Sequence, residues 1–124
     1  MWPFKTNPES EKKMNYRKLD TNFAVAGQLL PSQIDQVAAA GFKTIICARP
    51  DNEEPGQPSF AEVARAAEQK GLKAVHIPIS GGITEGALIR MEKALKELPM
   101  PMYGYCRSGG RAGSLYSAAL RAVN

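Results

Sequence analysis

A chain of 124 residues, 44% hydrophobic and 23% charged, is long enough for one domain around a single core. Its apolar runs stop short of a membrane span, and the start Met1-Trp2-Pro3-Phe4-Lys5 lacks the apolar core of a signal peptide, so the default location is the cytoplasm with no membrane partner. The formal charge of +4 gathers at the front, where Lys5, Lys12, Lys13, Arg17 and Lys18 outnumber Glu9 and Glu11; without interleaved aromatics or a basic helical face it argues against a nucleic-acid partner.

Residues 1–13, with Pro3, Asn7, Pro8 and Ser10 and no periodicity, read as a mobile leader, leaving 14–124 as the folded domain. Tyr16, Leu19 and the run Phe23-Ala24-Val25-Ala26 predict two short edge strands around a turn at Asp20-Thr21-Asn22. Pro31 near a first turn, apolar positions at Leu30, Ile34, Val37 and Ala38, and Gly41 just past the end mark a helix. Lys43 to Ala48 is short, β-branched and continuously apolar, as in a strand buried on both faces of a parallel sheet.

The stretch Arg49 to Pro58, with three prolines and three acids, is a loop beyond that strand. Ser59-Phe60-Ala61-Glu62 is a capping box opening a helix from Phe60 to Lys70, and Gly71 closes it. Lys73 to Pro78 is the next strand, Ser80-Gly81-Gly82-Ile83 a turn, and Thr84 the cap of a helix whose stripe is Leu88, Met91, Leu95 and Leu98. Pro99 stops that helix. Met102 to Tyr105 is the last strand, and the final helix runs to about Val123.

Between these last two elements lies Cys106-Arg107-Ser108-Gly109-Gly110-Arg111. A strand, a tight glycine loop and a helix start turn the loop's N–H groups toward one point above Cys106, over the positive end of the helix dipole. Such a nest binds an anion or stabilises a thiolate, so the Cys106 thiol is expected below the free value of about 8.5 and acts as nucleophile. Arg111 is read as an anion clamp, Arg107 as a rim residue that attracts substrate, and Ser108, Gly109 and Gly110 as substrate-binding positions. Cys47 and His76 read as packed and hydrogen-bonded structural residues, and with only two cysteines and one histidine neither a disulfide framework nor a metal site is expected.

Strands alternating with helices imply a single-domain α/β fold with a mainly parallel sheet flanked by helices. Ligands then sit off the carboxyl ends of the strands, so the site is expected from loops 49–58, 79–84 and 106–111.

Gly27-Gln28, Gly41-Phe42-Lys43-Thr44-Ile45-Ile46, Arg49-Pro50-Asp51, Glu53 to Ser59, His76-Ile77-Pro78-Ile79 and Tyr105-Cys106-Arg107-Ser108-Gly109 together resemble the beta-lactamase-hydrolase-like phosphatase-like domain family of bacteria. The resemblance implies a fold similar to that of dual-specificity protein tyrosine phosphatases. It also suggests a sulfide-metabolising protein as a partner, because in some relatives the domain lies beside a sulfide-metabolising dioxygenase.

Fold alone does not fix the chemistry, and this loop departs from the phosphatase pattern. Tyrosine phosphatases carry His-Cys, five intervening residues, and an arginine followed by Ser or Thr. Here Tyr105 takes the histidine position, four residues separate Cys106 from Arg111, and Ala112 follows. The loop is similar to the six-residue active loop of single-domain rhodaneses. A phosphatase also needs a general acid; loop 79–84 has no carboxylate, which leaves Asp51 as the best candidate beside Glu53 and Glu54.

These local features favour sulfane-sulfur transfer through a Cys106 persulfide, which needs no acid. The whole-domain likeness supports hydrolysis of phosphate monoesters through S-phosphocysteine, and a non-catalytic anion-binding or docking module is a third reading. The expected substrate is a small anion, whether persulfide, thiosulfate or phosphate ester, with no metal or organic cofactor.

Overall fold

The structure, a computed structural model, describes residues 15–123, so the expected leader over 1–13 lies outside the described residues. Ten elements follow in order. Strands β1 (Tyr16–Lys18) and β2 (Phe23–Ala26) lead to a 3-10 turn (Pro31–Gln33) and helix α1 (Ile34–Ala39). Strand β3 (Thr44–Cys47), α2 (Phe60–Gln69), β4 (Lys73–His76), α3 (Glu85–Glu97), β5 (Met102–Tyr105) and α4 (Gly110–Val123) complete the chain.

The sheet order is β1-β2-β5-β3-β4, parallel except for the β1–β2 hairpin. This is the expected α/β architecture with one difference. The sequence predicts two edge strands at the start, but β2 lies inside the sheet, paired parallel to β5. Phe23-Ala24-Val25-Ala26 is apolar at every position, so both of its faces can be buried, and all four residues are. Only the charged β1 is left as an edge on that side, where Arg17 and Lys18 are exposed.

Two helix layers cover the sheet. Phe23, Val25, Ile46 and Met102 pack against Met91 and Ala94 of α3 and Leu115 and Tyr116 of α4. On the other face Ala24, Ile45, Tyr103 and Tyr105 pack against Val37 of α1 and Val63 and Ala67 of α2. The helix starts follow their sequence signals: Ser59 and Glu62 form the reciprocal capping box at α2, and Thr84 Oγ1 accepts the Ala87 N–H at 3.1 Å. The helix expected from Pro31 instead opens with a tighter 3-10 turn, closed by Gln33 Oε1 on the Leu30 N–H at 2.9 Å.

Parallel pairing brings the carboxyl ends of β2, β5 and β3 side by side. Ala26, Tyr105 and Cys47 are in register, and the ladder continues one step further through Cys106 N–H to Ala26 O (3.3 Å) and Ala48 N–H to Tyr105 O (2.8 Å). Cys106 therefore leaves the sheet at its centre.

The central strand carries a glycine because of close packing on the α4 side. A Cβ on Gly104 would lie 2.6 Å from the Phe23 ring and 3.3 Å from the Ala112 Cβ, and that ring is stacked on Tyr116 with centroids 4.1 Å apart. Tyr116 is pinned in turn by its hydroxyl, which donates to Asp20 Oδ2 at 2.6 Å. We expect Gly104→Ala to lower the unfolding free energy by about 1–3 kcal/mol through overpacking, measured by urea denaturation. Adding Phe23→Leu to that variant should recover part of the loss, since it removes the ring that the new methyl meets.

Candidate active site

The loop after β5 folds back on its own cysteine. Gly109 takes φ +97°, a left-handed conformation that favours glycine, and its Cβ position faces the Ala26 backbone at 3.3 Å. That turn lets the Gly109 N–H donate to Cys106 Sγ at 3.0 Å. Helix α4 begins at once, at Gly110, so Arg111 and Ala112 belong to its first turn.

Cys106 is fully buried, which pushes its thiol up, yet the amides of Ala112, Ser108, Arg111 and Gly109 outweigh burial and the net shift is downward. Of the N–H groups expected to face this sulfur, Arg107 to Arg111, those of Ser108, Gly109 and Arg111 do, and that of Ala112 joins them. The Gly110 N–H turns instead to Ser108 Oγ at 3.3 Å, so the serine hydroxyl shapes the loop while its backbone N–H serves the thiol.

Arg111 is held on two sides. Its guanidinium donates two bonds to Glu53, at 2.7 Å and 2.9 Å, and a third to the Ile79 carbonyl at 3.0 Å, and it also draws on the Cys106 thiolate. Glu53 is shared: its Oε1 also accepts from Arg49 Nε at 2.8 Å. The two arginines, Arg111 first and then Arg49, bring the Glu53 carboxyl down to about 2.

Arg49 is the centre of this arrangement although it is only 2% exposed. Its other nitrogens donate to Gln28 Oε1 and Glu54 Oε1, both at 2.8 Å. Burial pulls the guanidinium down, but the Glu54 and Glu53 carboxylates more than compensate, so it stays charged. Glu54 completes the chain by pairing with the exposed Arg107 at 3.1 Å, and its carboxyl is lowered by Arg49 and Arg107. Loops 27–30, 48–59, 79–84 and 106–109 are thus joined by one run of ion pairs and hydrogen bonds.

Of the residues singled out from sequence, the structure brings together Cys106, Ser108, Gly109, Gly110 and Arg111, with Arg107 at the rim. Asp51 is placed differently: its Oδ1 accepts the Phe60 N–H at 2.8 Å, tying it to the start of α2. His76 bonds the Arg49 carbonyl through Nε2 at 2.8 Å and stacks on Phe60 with centroids 4.7 Å apart. Cys47 is buried, its thiol facing the Arg49 carbonyl at 3.4 Å and pushed up by burial. Beside it the buried Tyr105 hydroxyl lacks a well-aligned hydrogen-bond partner among the described residues.

Sequence reasoning missed Gln28 and Arg49 as site residues, and it named Glu53 only as a candidate acid beside Asp51, where the structure makes it the partner of two arginines. Gln28 follows β2, whose interior position was not read, and Arg49 opens a loop of prolines and acids in which a buried cation has no local signal. The mouth of the site is a cleft of about 520 Å³ bounded by Ile79, Gly81, Ile83, Ser108 and Arg111. Among the described residues no group of three or more His, Cys, Asp or Glu side chains gathers at metal-binding distance. A thiolate under amide donors, beside a guanidinium fixed in orientation, can attack an electrophile that carries anionic oxygens.

Residues 15–122 match the family model of the beta-lactamase hydrolase-like protein, phosphatase-like domain. A beta-lactamase hydrolase-like protein of Agrobacterium fabrum is 37% identical over 100 residues, which are 80% of this chain and 23% of that protein. One from Xylella fastidiosa is 32% identical with the same coverage, so the chain spans less than a quarter of these curated relatives. Among solved structures, a candidate phosphatase from Neisseria meningitidis shares 34% identity at a TM-score of 0.72, over 81% of this chain and 72% of that one. A candidate phosphatase from Shewanella putrefaciens shares the fold at a TM-score of 0.76 and 14% identity, over 98% of this chain and 79% of its own.

Two expectations follow for the charged groups. The alkylation rate of Cys106 against pH should show a midpoint below that of a free thiol; Arg111→Met raises it, and Cys47→Ala leaves it in place. Glu53, lowered to about 2 when folded and titrating at about 4.3 when unfolded, contributes stability that is present above its unfolded value and lost as pH falls through the folded one. The stability difference between wild type and Glu53→Gln, from denaturant midpoints, should hold from neutrality down to about pH 5 and narrow toward pH 2.

Proposed function

The chain belongs to the family of the phosphatase-like domain of beta-lactamase hydrolase-like proteins, and on that footing we propose that it hydrolyses phosphate monoesters through an S-phosphocysteine on Cys106. The observation that carries this reading is the pairing of the Gly109 N–H with Cys106 Sγ at 3.0 Å and of Arg111 with Glu53 in a two-bond fork. One supplies an ionised nucleophile. The other holds the guanidinium by its Nη1–Nη2 edge and leaves Nε and the second Nη2 hydrogen as donors for an oxyanion.

In the first step the Cys106 thiolate attacks phosphorus, the S–P bond forms, and the P–O bond to the leaving group breaks with its electron pair. Loop amides and Arg111 hold the charge on the transferred oxygens. Water then attacks phosphorus and returns a proton to the carboxylate that served the leaving group, the S–P bond breaks, and phosphate is released with the Cys106 thiolate regenerated. Arg107 at the rim draws the dianion in.

The leaving oxygen needs a proton when it departs as an alkoxide. Glu53 and Glu54 are held as carboxylates by arginines and do not supply it. Asp51 is the carboxyl group of that loop without an arginine partner, and since its Oδ1 is committed to the Phe60 N–H, this reading assigns the donor role to its other oxygen.

Sulfane-sulfur transfer is the second reading. It is favoured by the six-residue cradle, by Ala112 after the arginine, and by the two carboxylates that stay ionised, since a sulfite or thiolate leaving group needs no acid. The family's phosphatase-like description and the 34%-identical candidate phosphatase from Neisseria meningitidis support phosphoryl transfer over it.

The experiment compares an aryl phosphate with thiosulfate plus cyanide. Turnover of the aryl phosphate, its loss in Cys106→Ser, and a mass gain of one phosphoryl group on Cys106 in rapidly quenched samples are the expected result. Asp51→Asn should cost about 10²-fold or more on an alkyl phosphate and much less on nitrophenyl phosphate, whose leaving group departs unprotonated. Thiocyanate formation with one added sulfur on Cys106, and no phosphate release, would replace this reading with the second.

A further inference from the structure

The mouth of the candidate site does not end at Arg111. A second cleft of about 440 Å³ shares Ile83, Gly110 and Ser114 with it and continues along α4. Its floor is the helix face made by Gly110, Ser114, Ser117 and Arg121, which recur three to four residues apart. These residues are small until the last, so the cleft is open until Arg121. Arg17 of β1 faces it from the other wall, and Leu19 and Ile83 give the walls an apolar middle.

Charge is distributed unevenly along this path. No carboxylate lines either cleft. Arg17 and Arg121 are exposed, and among the described residues neither forms an ion pair, whereas Arg49, Arg107 and Arg111 all do. Two cations at the far end of a cleft whose near end opens on an oxyanion cradle attract a ligand that is anionic at both ends. From Gly110 to Arg121 the helix rises about 16 Å, and a side chain leaning back by roughly one turn shortens the span to about 10 Å.

We propose that the substrate of this site carries two anionic groups about 10 Å apart, one in the Cys106 cradle and the other between Arg17 and Arg121, joined by an uncharged spacer that lies against Leu19 and Ile83. The inference rests on the phosphatase reading only for which bond is cleaved; the seating of two anions is independent of turnover.

The test is therefore a binding measurement on the whole chain. Cys106 is alkylated in the presence of methylphosphonate, or of ethylene-, hexamethylene- or decamethylene-bisphosphonate, and the protecting concentrations are compared. The hexamethylene compound, whose phosphorus atoms lie about 10 Å apart when extended, should protect about fivefold better than methylphosphonate, the gain that two exposed charge pairs allow, with the ethylene compound falling back toward the single anion.

In Arg17→Gln/Arg121→Gln the gain should vanish while protection by methylphosphonate and the thermal midpoint stay within error of wild type. Protection that is flat across spacer length, absent altogether, or equally strong in the double variant overturns the proposal. Aryl phosphate turnover on the same samples separates the two claims. A spacer optimum without turnover keeps the two-anion site and removes the phosphatase reading, while turnover without a spacer optimum does the reverse.

Discussion

The arrangement depends on one buried cation. A guanidinium taken out of water costs several kcal/mol unless its charge and its donors are matched, and Arg49 is matched by two carboxylates and an amide oxygen. Those three acceptors come from two loops, and two of them have further obligations. Glu53 orients Arg111, and Glu54 holds Arg107. The position of the Arg111 guanidinium is therefore set, through Glu53, by a residue that lines neither cleft.

This wiring also divides labour among acids. In a loop carrying Asp51, Glu53 and Glu54, two carboxyl groups are fixed as anions and serve only to position arginines, while the third caps a helix. Electrostatic preorganisation of this kind favours binding and stabilising an oxyanion more than it favours proton delivery. The phosphatase-like ancestry and the six-residue cradle pull the chemistry in different directions, and the leaving group is where they part: a poor one demands a proton, a good one does not.

Much of this was legible in the chain. The strands at Thr44–Cys47 and Met102–Tyr105, the capping box at Ser59 and the cysteine loop all announce themselves locally, because their signals lie within a few residues of one another. The departures have the opposite character. Whether Phe23–Ala26 is an edge or an interior strand depends on what pairs with its far side, which is β5, nearly eighty residues later. Arg111 meets Glu53 across a separation of 58 residues, and Arg49 meets Gln28 across 21, so no window of sequence contains either pair. An acid-rich loop and an arginine before a proline look the same whether they are solvated or interlocked.

The shared use of Glu53 by two arginines has a consequence for anyone who would rebuild this domain. Transplanting the cysteine loop alone into a related scaffold would import a guanidinium without its counter-anion, and transplanting the acidic loop alone would leave a carboxylate with half its partners. The exchangeable module is the pair of loops together with the arginine beneath them and the glutamine after β2, and variation among homologous domains should be inherited in that block.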